Sequence, residues 1–344
     1  MEYSKLGSSG LNVSRVCLGS MTWGSQNSQR EASEQIDYAL TQGINFIDTA
    51  EMYSVPPKAE TYGKTEKMIG NWLAANSSKR SDIILASKIA GNGIPWIREG
   101  GDITGESIIQ SVDASLKRLQ TDYIDLYQLH WPERQTNTFG VRDYKHNPND
   151  AWKDNFNEVL HSLQGFIKEG KIRQIGISNE KAWGAMRYLE ESTKHGLPRM
   201  ITIQNAYSLL NRVFEGDMAE VSMRENIGLL PYSPLAFGVL SGKYIKGTAS
   251  ENSRLKLFPR FARYSSEQST KAAKRYLQLA NDYGLNMAQM ALAFIRQKPF
   301  VTSTIIGATN LTQLKMDIES VNIDLSEELL EKIDAIHAEI PNPA

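Results

Sequence analysis

The chain alternates short apolar runs with longer stretches in which apolar residues recur every three or four positions. The short runs lie at residues 16–19, 44–47, 83–87, 124–129, 172–177, 200–204, 228–232 and 303–307, and each is the length of a strand. Between them, the helical spacing predicts helices over 30–42, 65–75, 105–119, 156–168, 180–194, 214–225, 287–297, 311–319 and 327–339. In the first, Ala32, Ile36, Ala39 and Leu40 share one face and Gly43 suits the C-terminal end. In the third, Ile108, Ile109, Val112, Leu116 and Leu119 do the same. Ser326 fits an N-cap for the last helix. Strand, helix, strand in repeated order is the pattern of an α/β protein with a parallel sheet. Ahead of it, residues 3–6 and 13–16 flank Gly7-Ser8-Ser9-Gly10 and predict a β-hairpin.

No shift in composition and no low-complexity linker divides the sequence, so one domain over residues 1–344 is expected. Three long loops, 90–102, 131–151 and 235–264, each follow a strand. In a closed parallel barrel all of them would lie on the face where the strands end, which is where such folds build their sites.

Charge and cysteine content narrow the class. Lys and Arg number 38 against 39 Asp and Glu, too balanced for a broad nucleic-acid-binding surface. The single cysteine, Cys17, forms no intrachain disulfide and belongs to no zinc pattern. The start of the chain carries no secretory leader pattern, and no segment approaches the roughly 18 apolar residues of a membrane span. A cytoplasmic protein without nucleic-acid or membrane partners is the expectation. His146, His161, His195 and His337 show no ligand spacing, so no metal is expected.

Candidate chemistry sits where the apolar runs end. Asp48 closes the second run and Tyr53 follows five residues later; Lys88 closes the third, and His130 the fourth. Singly, each has an ordinary structural reading: a strand-end Asp as a helix cap, a Lys on the surface, a His or Tyr in a loop contact. Together, at the ends of three consecutive parallel strands, they form an acid–base set. A nearby ammonium favours a phenolate, so Lys88 is expected to lower the Tyr53 pKa, with Asp48 aiming the amine and His130 orienting a carbonyl. Tyr53 would then be the general acid of a carbonyl reduction.

The motifs Leu18-Gly19-Ser20-Met21-Thr22-Trp23-Gly24, Asn45-Phe46-Ile47-Asp48-Thr49-Ala50-Glu51-Met52-Tyr53 and Gly63-Lys64-Thr65-Glu66 resemble the aldo-keto reductase superfamily. So do Ala86-Ser87-Lys88, the stretch 122–131 ending Leu129-His130-Trp131, the stretch 170–179 ending Ile177-Ser178-Asn179, and Ser303-Thr304-Ile305-Ile306-Gly307-Ala308. Within it, Glu51-Met52-Tyr53-Ser54-Val55-Pro56-Pro57, Ala206-Tyr207-Ser208-Leu209-Leu210-Asn211-Arg212 and the stretch 258–264 are most similar to the bacterial Tas protein group. The resemblance implies a (β/α)8 TIM barrel, NADP(H)-dependent reduction of small carbonyl compounds, and a catalytic tetrad of Asp48, Tyr53, Lys88 and His130.

No Gly-x-Gly-x-x-Gly follows an early strand, so the cofactor would be held by the barrel face. Ser178, Asn179 and Gln204 offer polar groups for a carboxamide, and Tyr232 a ring to stack on nicotinamide. Ser233, Leu235, Gly238 and Leu240 are expected to turn backbone N–H groups toward the pyrophosphate. The resemblance puts Lys243 and Arg254 near the ribose phosphate, and Thr22, Gly307, Thr309, Gln313 and Asp317 on the cofactor as well. Many relatives carry arginine where Gln313 stands and Glu-Asn where Met316-Asp317 stand. A carboxylate at Asp317 suits adenine better than a 2'-phosphate, yet Lys243 and Arg254 keep NADP(H) the expected cofactor. Trp23 and Trp131, with Phe139, are expected to wall the substrate; packing of loops is the plain alternative. Two other functions stay open: a dinucleotide-binding sensor or regulatory barrel with little turnover, and a Schiff-base enzyme using Lys88. Neither the natural substrate nor the oligomeric state is legible.

Overall fold

The computed structural model describes residues 1–344. The N-terminal hairpin pairs β1 (Tyr3–Lys5) with β2 (Asn12–Ser14). Eight parallel strands follow: β3 (Val16–Gly19), β4 (Phe46–Asp48), β5 (Ile84–Ile89), β6 (Ile124–Leu129), β7 (Ile172–Ser178), β8 (Met200–Gln204), β9 (Gly228–Leu229) and β10 (Thr304–Ile306). They lie side by side in chain order, and β10 returns to pair with β3. The gap between β9 and β10 is bridged by Leu229 N–H to the Phe300 carbonyl (3.0 Å), Thr302 N–H to the Leu229 carbonyl (2.9 Å) and Ile305 N–H to the Pro231 carbonyl (3.0 Å). The sheet thus curls into a (β/α)8 barrel, as the sequence predicts.

The surrounding helices are α1 (Gln29–Thr41), α2 (Lys64–Ala75), α3 (Gly105–Leu119), α4 (Phe156–Lys168), α5 (Ala182–His195), α6 (Met218–Glu225), α7 (Arg254–Leu257), α8 (Glu267–Asp282), α9 (Met287–Arg296), α10 (Leu311–Glu319) and α11 (Glu327–Glu339). Local chemistry sets their starts. Ser28 and Glu31 close a reciprocal capping box on α1, and Ser266 and Ser326 cap α8 and α11. No helix is long and apolar enough to cross a membrane.

Three expectations change. The strand expected at 228–232 shrinks to two residues because Pro231 has no N–H for a ladder; Tyr232 survives as an isolated bridge to Ala206. The helix expected from 214 starts at Met218, after a 3-10 turn over Val213–Glu215. The α8 helix was not expected at all. Its buried face relies on Ala272, Ala273 and Ala280 beside Tyr276, Leu277 and Leu279, so small residues dilute the apolar stripe.

Two apolar clusters hold the frame. Seventy-two buried residues fill the shell between strands and helices. Ten others form an inner core: Cys17, Phe46, Ile84, Ala86, Leu126, Ile201, Leu230 and Ile305 from the barrel, with Leu6 and Val13 from the hairpin end. The hairpin therefore plugs the bottom. Gly7 makes this approach (φ +54°): a Cβ there would stand 2.0 Å from the Ile201 carbonyl. Because side chains alternate across a strand, the inward positions above this plug on β4, β5 and β6 are Asp48, Lys88 and Gln128. The same parity that fills the core with Phe46, Ala86 and Leu126 delivers polar groups to the barrel mouth.

The shell is tight where α2 meets α3. A Cβ on Gly70 would lie 2.1 Å from the Arg118 carbonyl oxygen, a backbone atom that cannot rotate away. Gly70→Ala is therefore expected to destabilise the fold by about 1–3 kcal/mol through overpacking. Urea denaturation followed by circular dichroism checks this; an unchanged midpoint would show that the two helices can separate at no cost.

Candidate active site

Lys88 is wholly buried at the end of β5, and its ammonium is held twice. Nζ donates to Asp48 Oδ2 at 2.7 Å and to the Thr49 carbonyl at 2.7 Å. The other oxygen of Asp48 accepts from Gln204 Nε2 at 2.9 Å and Gln128 Nε2 at 3.4 Å. Burial alone favours a neutral amine, but Asp48, then Tyr53, outweigh it and hold Lys88 above the ordinary lysine range. A paired ammonium is a poor nucleophile, which weighs against Schiff-base chemistry.

Tyr53 lies over this pair, with Lys88 Nζ 5.0 Å from its ring centre. Here the expectation of a lowered pKa reverses. Burial raises the Tyr53 pKa more than Lys88 lowers it, and Asp48 adds to the rise. The phenol is thus held in its protonated form. His130 packs edge-on against Tyr53, ring centres 5.8 Å apart, and against Trp131 at 5.0 Å. Burial and then Lys88 push its pKa well below the ordinary histidine value, so the imidazole is neutral. Its Nδ1 is buried without a partner. The four residues reached from the sequence therefore meet at one place.

Asn179 ties the next strand to this group. Its Nδ2 donates to the His130 carbonyl (2.9 Å) and Ser178 Oγ (3.1 Å), and its Oδ1 accepts from Tyr232 OH (2.6 Å). Ser178 Oγ in turn donates to the Gln204 carbonyl at 2.7 Å. Within this ring of bonds, the Gln204 side-chain oxygen is the group that bonds to no protein donor.

Above lies a cleft of about 1600 Å³. Small-molecule pockets commonly measure about 300–1,000 Å³, so this one has room for a dinucleotide and a substrate together. Asp48, Tyr53, His130, Trp131, Ser178, Asn179, Gln204 and Tyr232 line one part. Ser233, Leu235, Gly238, Lys243 and Arg254 line the next, and Thr22, Gly307, Thr309, Gln313 and Asp317 the far end. In the middle stretch, Ser233 (φ +54°) and Leu235 direct N–H groups that no protein atom accepts. Lys243 and Arg254 have no acidic partner within ion-pair distance, and Arg254 Nη1 rests 3.7 Å from Met21 Sδ. At the far end, Thr22 Oγ1 bonds Asn27, which donates to the Thr309 carbonyl; Gln313 Oε1 accepts from Thr309 N–H and Oγ1.

Two expected residues are elsewhere. Trp23 is fully buried in the shell, its indole N–H bonded to Gln35 at 3.2 Å, because it follows the strand end and turns back under α1. The aromatic wall is Trp131 with Phe139, ring centres 5.9 Å apart. Leu240 is also fully buried, and its N–H, like that of Gly238, is spent on the Leu235 carbonyl in a tight turn. Gln128 was missed, although its inward parity two residues before His130 pointed to it. Arg142 and Arg263, which also line the cleft, were given no site role from the sequence, although Arg263 falls within the family-like stretch 258–264. No group of three or more His, Cys, Asp or Glu side chains is placed to hold a metal ion.

A closed barrel whose mouth joins a buried acid–amine pair to a phenol below a large cleft is the architecture of a small-molecule enzyme, and sequence comparison gives the class. The Aldo/keto reductase family model matches residues 15–338, and the chain belongs to that family, which makes it an oxidoreductase acting on carbonyl compounds. It is 50% identical to "Protein tas" of Escherichia coli (strain K12) over the whole of both chains. It is 28% identical to "Versiconal hemiacetal acetate reductase" of Aspergillus parasiticus, covering 97% of this chain and 96% of that one. It is 30% identical to "Probable voltage-gated potassium channel subunit beta" of Arabidopsis thaliana, covering 98% and 96%.

Asp317 has a testable consequence. It is buried at the far end of the cleft with Oδ1 unpartnered, and burial lifts its pKa to about 7 against the opposing pull of Lys243. The folded chain then keeps a proton that the unfolded chain releases near pH 4, so Asp317 costs stability as pH rises from about 4 to about 7. Asp317→Asn should raise unfolding stability by about 1–3 kcal/mol at pH 8 and by almost nothing at pH 4. Chemical denaturation at both pH values reads the difference; an equal effect at both would mean that Asp317 stays charged in the fold.

Proposed function

We propose that the chain reduces aldehydes and ketones to alcohols with NADP(H), with Tyr53 as general acid and Lys88, Asp48 and His130 in support. One observation carries the reading: a phenol held neutral by burial sits beside a protonated amine and a neutral imidazole at the floor of a dinucleotide-sized cleft. The lining fits the cofactor. Gln204, Asn179 and Ser178 suit a carboxamide, and Tyr232 a flat ring. The unaccepted N–H groups of Ser233 and Leu235, with Lys243 and Arg254, suit phosphates. Thr22, Gly307, Thr309, Gln313 and Asp317 suit the adenosine end. A bound nicotinamide dinucleotide supplies the hydride.

The residues of this chain do the rest. Tyr53 gives its proton to the carbonyl oxygen as negative charge builds there. The phenolate left behind faces Lys88, whose charge lowers the cost of that transfer. Asp48 keeps Lys88 protonated and, with Gln128 and Gln204, fixes its aim. His130 is neutral, so it offers one N–H to the carbonyl oxygen without a second cation beside Lys88. Trp131 and Phe139 exclude water from the reacting carbon.

A second reading has one observation in its favour. A relative spanning nearly the whole chain bears the name of a channel subunit rather than an enzyme. A dinucleotide-binding regulatory barrel would bind NADPH tightly and turn over no member of a broad carbonyl panel.

Tyr53→Phe should keep NADPH fluorescence quenching and lose at least about 100-fold in kcat with 4-nitrobenzaldehyde. Turnover at the parent rate would remove Tyr53 from its role. Lys243→Met should weaken NADPH binding by about tenfold and NADH binding far less, the loss of one charge-assisted contact. Equal loss for both dinucleotides would place Lys243 away from the 2'-phosphate.

A further inference from the structure

The two cations assigned to cofactor phosphates, Lys243 and Arg254, leave others in the cleft. Arg142, Arg260 and Arg263 line its mouth, and none joins an ion pair. The Asp and Glu side chains lining the cleft do not answer them, and Ala344, which also lines it, joins no ion pair with them. Glu31 is spent on capping Ser28, Asp48 on Lys88, and Asp317 lies at the far end beside Lys243.

Arg263 is the best placed of the three. It is half-buried, with its guanidinium carbon 5.9 Å from the ring centres of both Phe237 and Tyr264. Its charge is felt by Tyr232, whose hydroxyl bonds Asn179, which in turn bonds the His130 carbonyl. That chain of contacts runs from the catalytic histidine to the guanidinium. From the other side, Gly140 (φ +98°) lets Arg263 through: a Cβ there would stand 2.9 Å from its Nε. Gly140 follows Phe139, which packs on Trp131. Arg142 is two residues further on, and its Nη2 bonds the Pro343 carbonyl at 2.6 Å, a carbonyl also held by Ser266 and Ser269. The loop after β6 and the loop before α8 therefore bring two guanidinium groups to the rim on the substrate side.

A half-buried arginine whose neighbours are tyrosine and phenylalanine rings, with no carboxylate in ion-pair range, holds its charge without a counter-anion, and guanidinium forks match carboxylate and phosphate oxygens. We infer that the preferred substrates of this site carry an anionic group, a carboxylate or a phosphate, held by Arg263 with Arg142 while the carbonyl faces Tyr53. The inference rests on the proposed carbonyl reduction and adds the substrate class to it.

The test compares 4-carboxybenzaldehyde and 4-formylphenyl phosphate with the neutral methyl 4-formylbenzoate, using the full chain and NADPH. The anionic aldehydes should show kcat/KM about tenfold or more above the ester, a gain lying in KM and shrinking as salt is added. Whichever anion gains more names the group. In Arg263→Gln the ratio of anionic to neutral substrate should fall by about tenfold, and Arg263→Lys should restore part of it. A ratio near unity in the parent overturns the inference. So does an Arg263→Gln variant whose main defect is NADPH affinity, since the arginine would then serve the cofactor. If no aldehyde is reduced at all, carbonyl reduction fails by itself, and calorimetry still decides this point. Tighter binding of 4-(hydroxymethyl)benzoate than of its methyl ester to the NADPH complex supports the anion site; equal binding overturns it.

Discussion

The ion pair between Lys88 and Asp48 is the constraint on which the site depends. Both groups are almost completely removed from water, and desolvating two charges is costly unless every remaining donor and acceptor is matched. Here the match is close to full. The ammonium has a carboxylate and a carbonyl; the carboxylate has the ammonium and two side-chain amides. Those partners come from β4, β5, β6 and β8, so the pair exists only if the barrel closes with its strands in register. Register and chemistry are one problem in this fold. A slip of one residue on β5 would turn Lys88 outward to where Ser87 now bonds Glu66, and Tyr53 would face Ser87 or Ile89.

A second layer of buried charge fixes the loops to this frame. Glu51 accepts from Ala90 N–H, from both terminal nitrogens of Arg98, from Ser111 and from Tyr62. It stands two residues before Tyr53 and grips the chain two residues after Lys88. The loop carrying the phenol and the strand carrying the amine are thereby clamped together from outside the barrel. Glu66 with Arg118, and Asp125 between Arg80 and Arg173, repeat the device between helices and strands lower down. Such pairs add little net stability but strongly disfavour arrangements that separate them, because a lone buried charge is the alternative.

Much of this was legible in the sequence because strands buried on both faces read as short apolar runs between helix-period segments. Those runs gave the strands within a few residues, and their ends gave Asp48, Lys88 and His130. The residues that escaped did so for identifiable reasons. Trp23 reads as an active-face aromatic from its place after β3, but the chain turns inward before reaching it, and only a three-dimensional path shows that. Leu240 was expected to offer backbone, yet the turn that begins at Leu235 consumes that N–H locally. The Tyr53 pKa was misjudged from a single neighbour, since a sequence displays charges but not burial, and burial is the larger effect here. Arg263 and Arg142 sit in long loops without periodicity, where position relative to the site is set by tertiary contact alone.

The cations of the cleft are unevenly compensated, and this has a physical consequence. At the floor, Lys88 is neutralised by Asp48 and its field is local. In the middle, Lys243 and Arg254 are uncompensated. At the mouth, Arg142, Arg260 and Arg263 join no ion pair either; Arg142 and Arg260 are exposed and Arg263 is half-buried. A chain with a net charge of -1 therefore gathers unpaired cations around this cleft. Anions are drawn to such a cluster from about a Debye length away, roughly 8 Å at physiological ionic strength, and are then sorted by contact. On the inferred substrate class, a polyvalent anion would gain most beside Lys243 and Arg254, and a singly charged one would be held by Arg142 and Arg263. At the floor the Lys88–Asp48 pair is closed on itself, so charge entering the cleft above changes the field at Tyr53 less than a bare ammonium there would allow. Asp317 is the exception among these charges: a carboxyl at the far end that is neutral below pH about 7 and charged above it. It lines the cleft at the end away from Tyr53, so under the proposed function a change of pH near neutrality would alter cofactor retention at that end before it altered the chemistry at Tyr53.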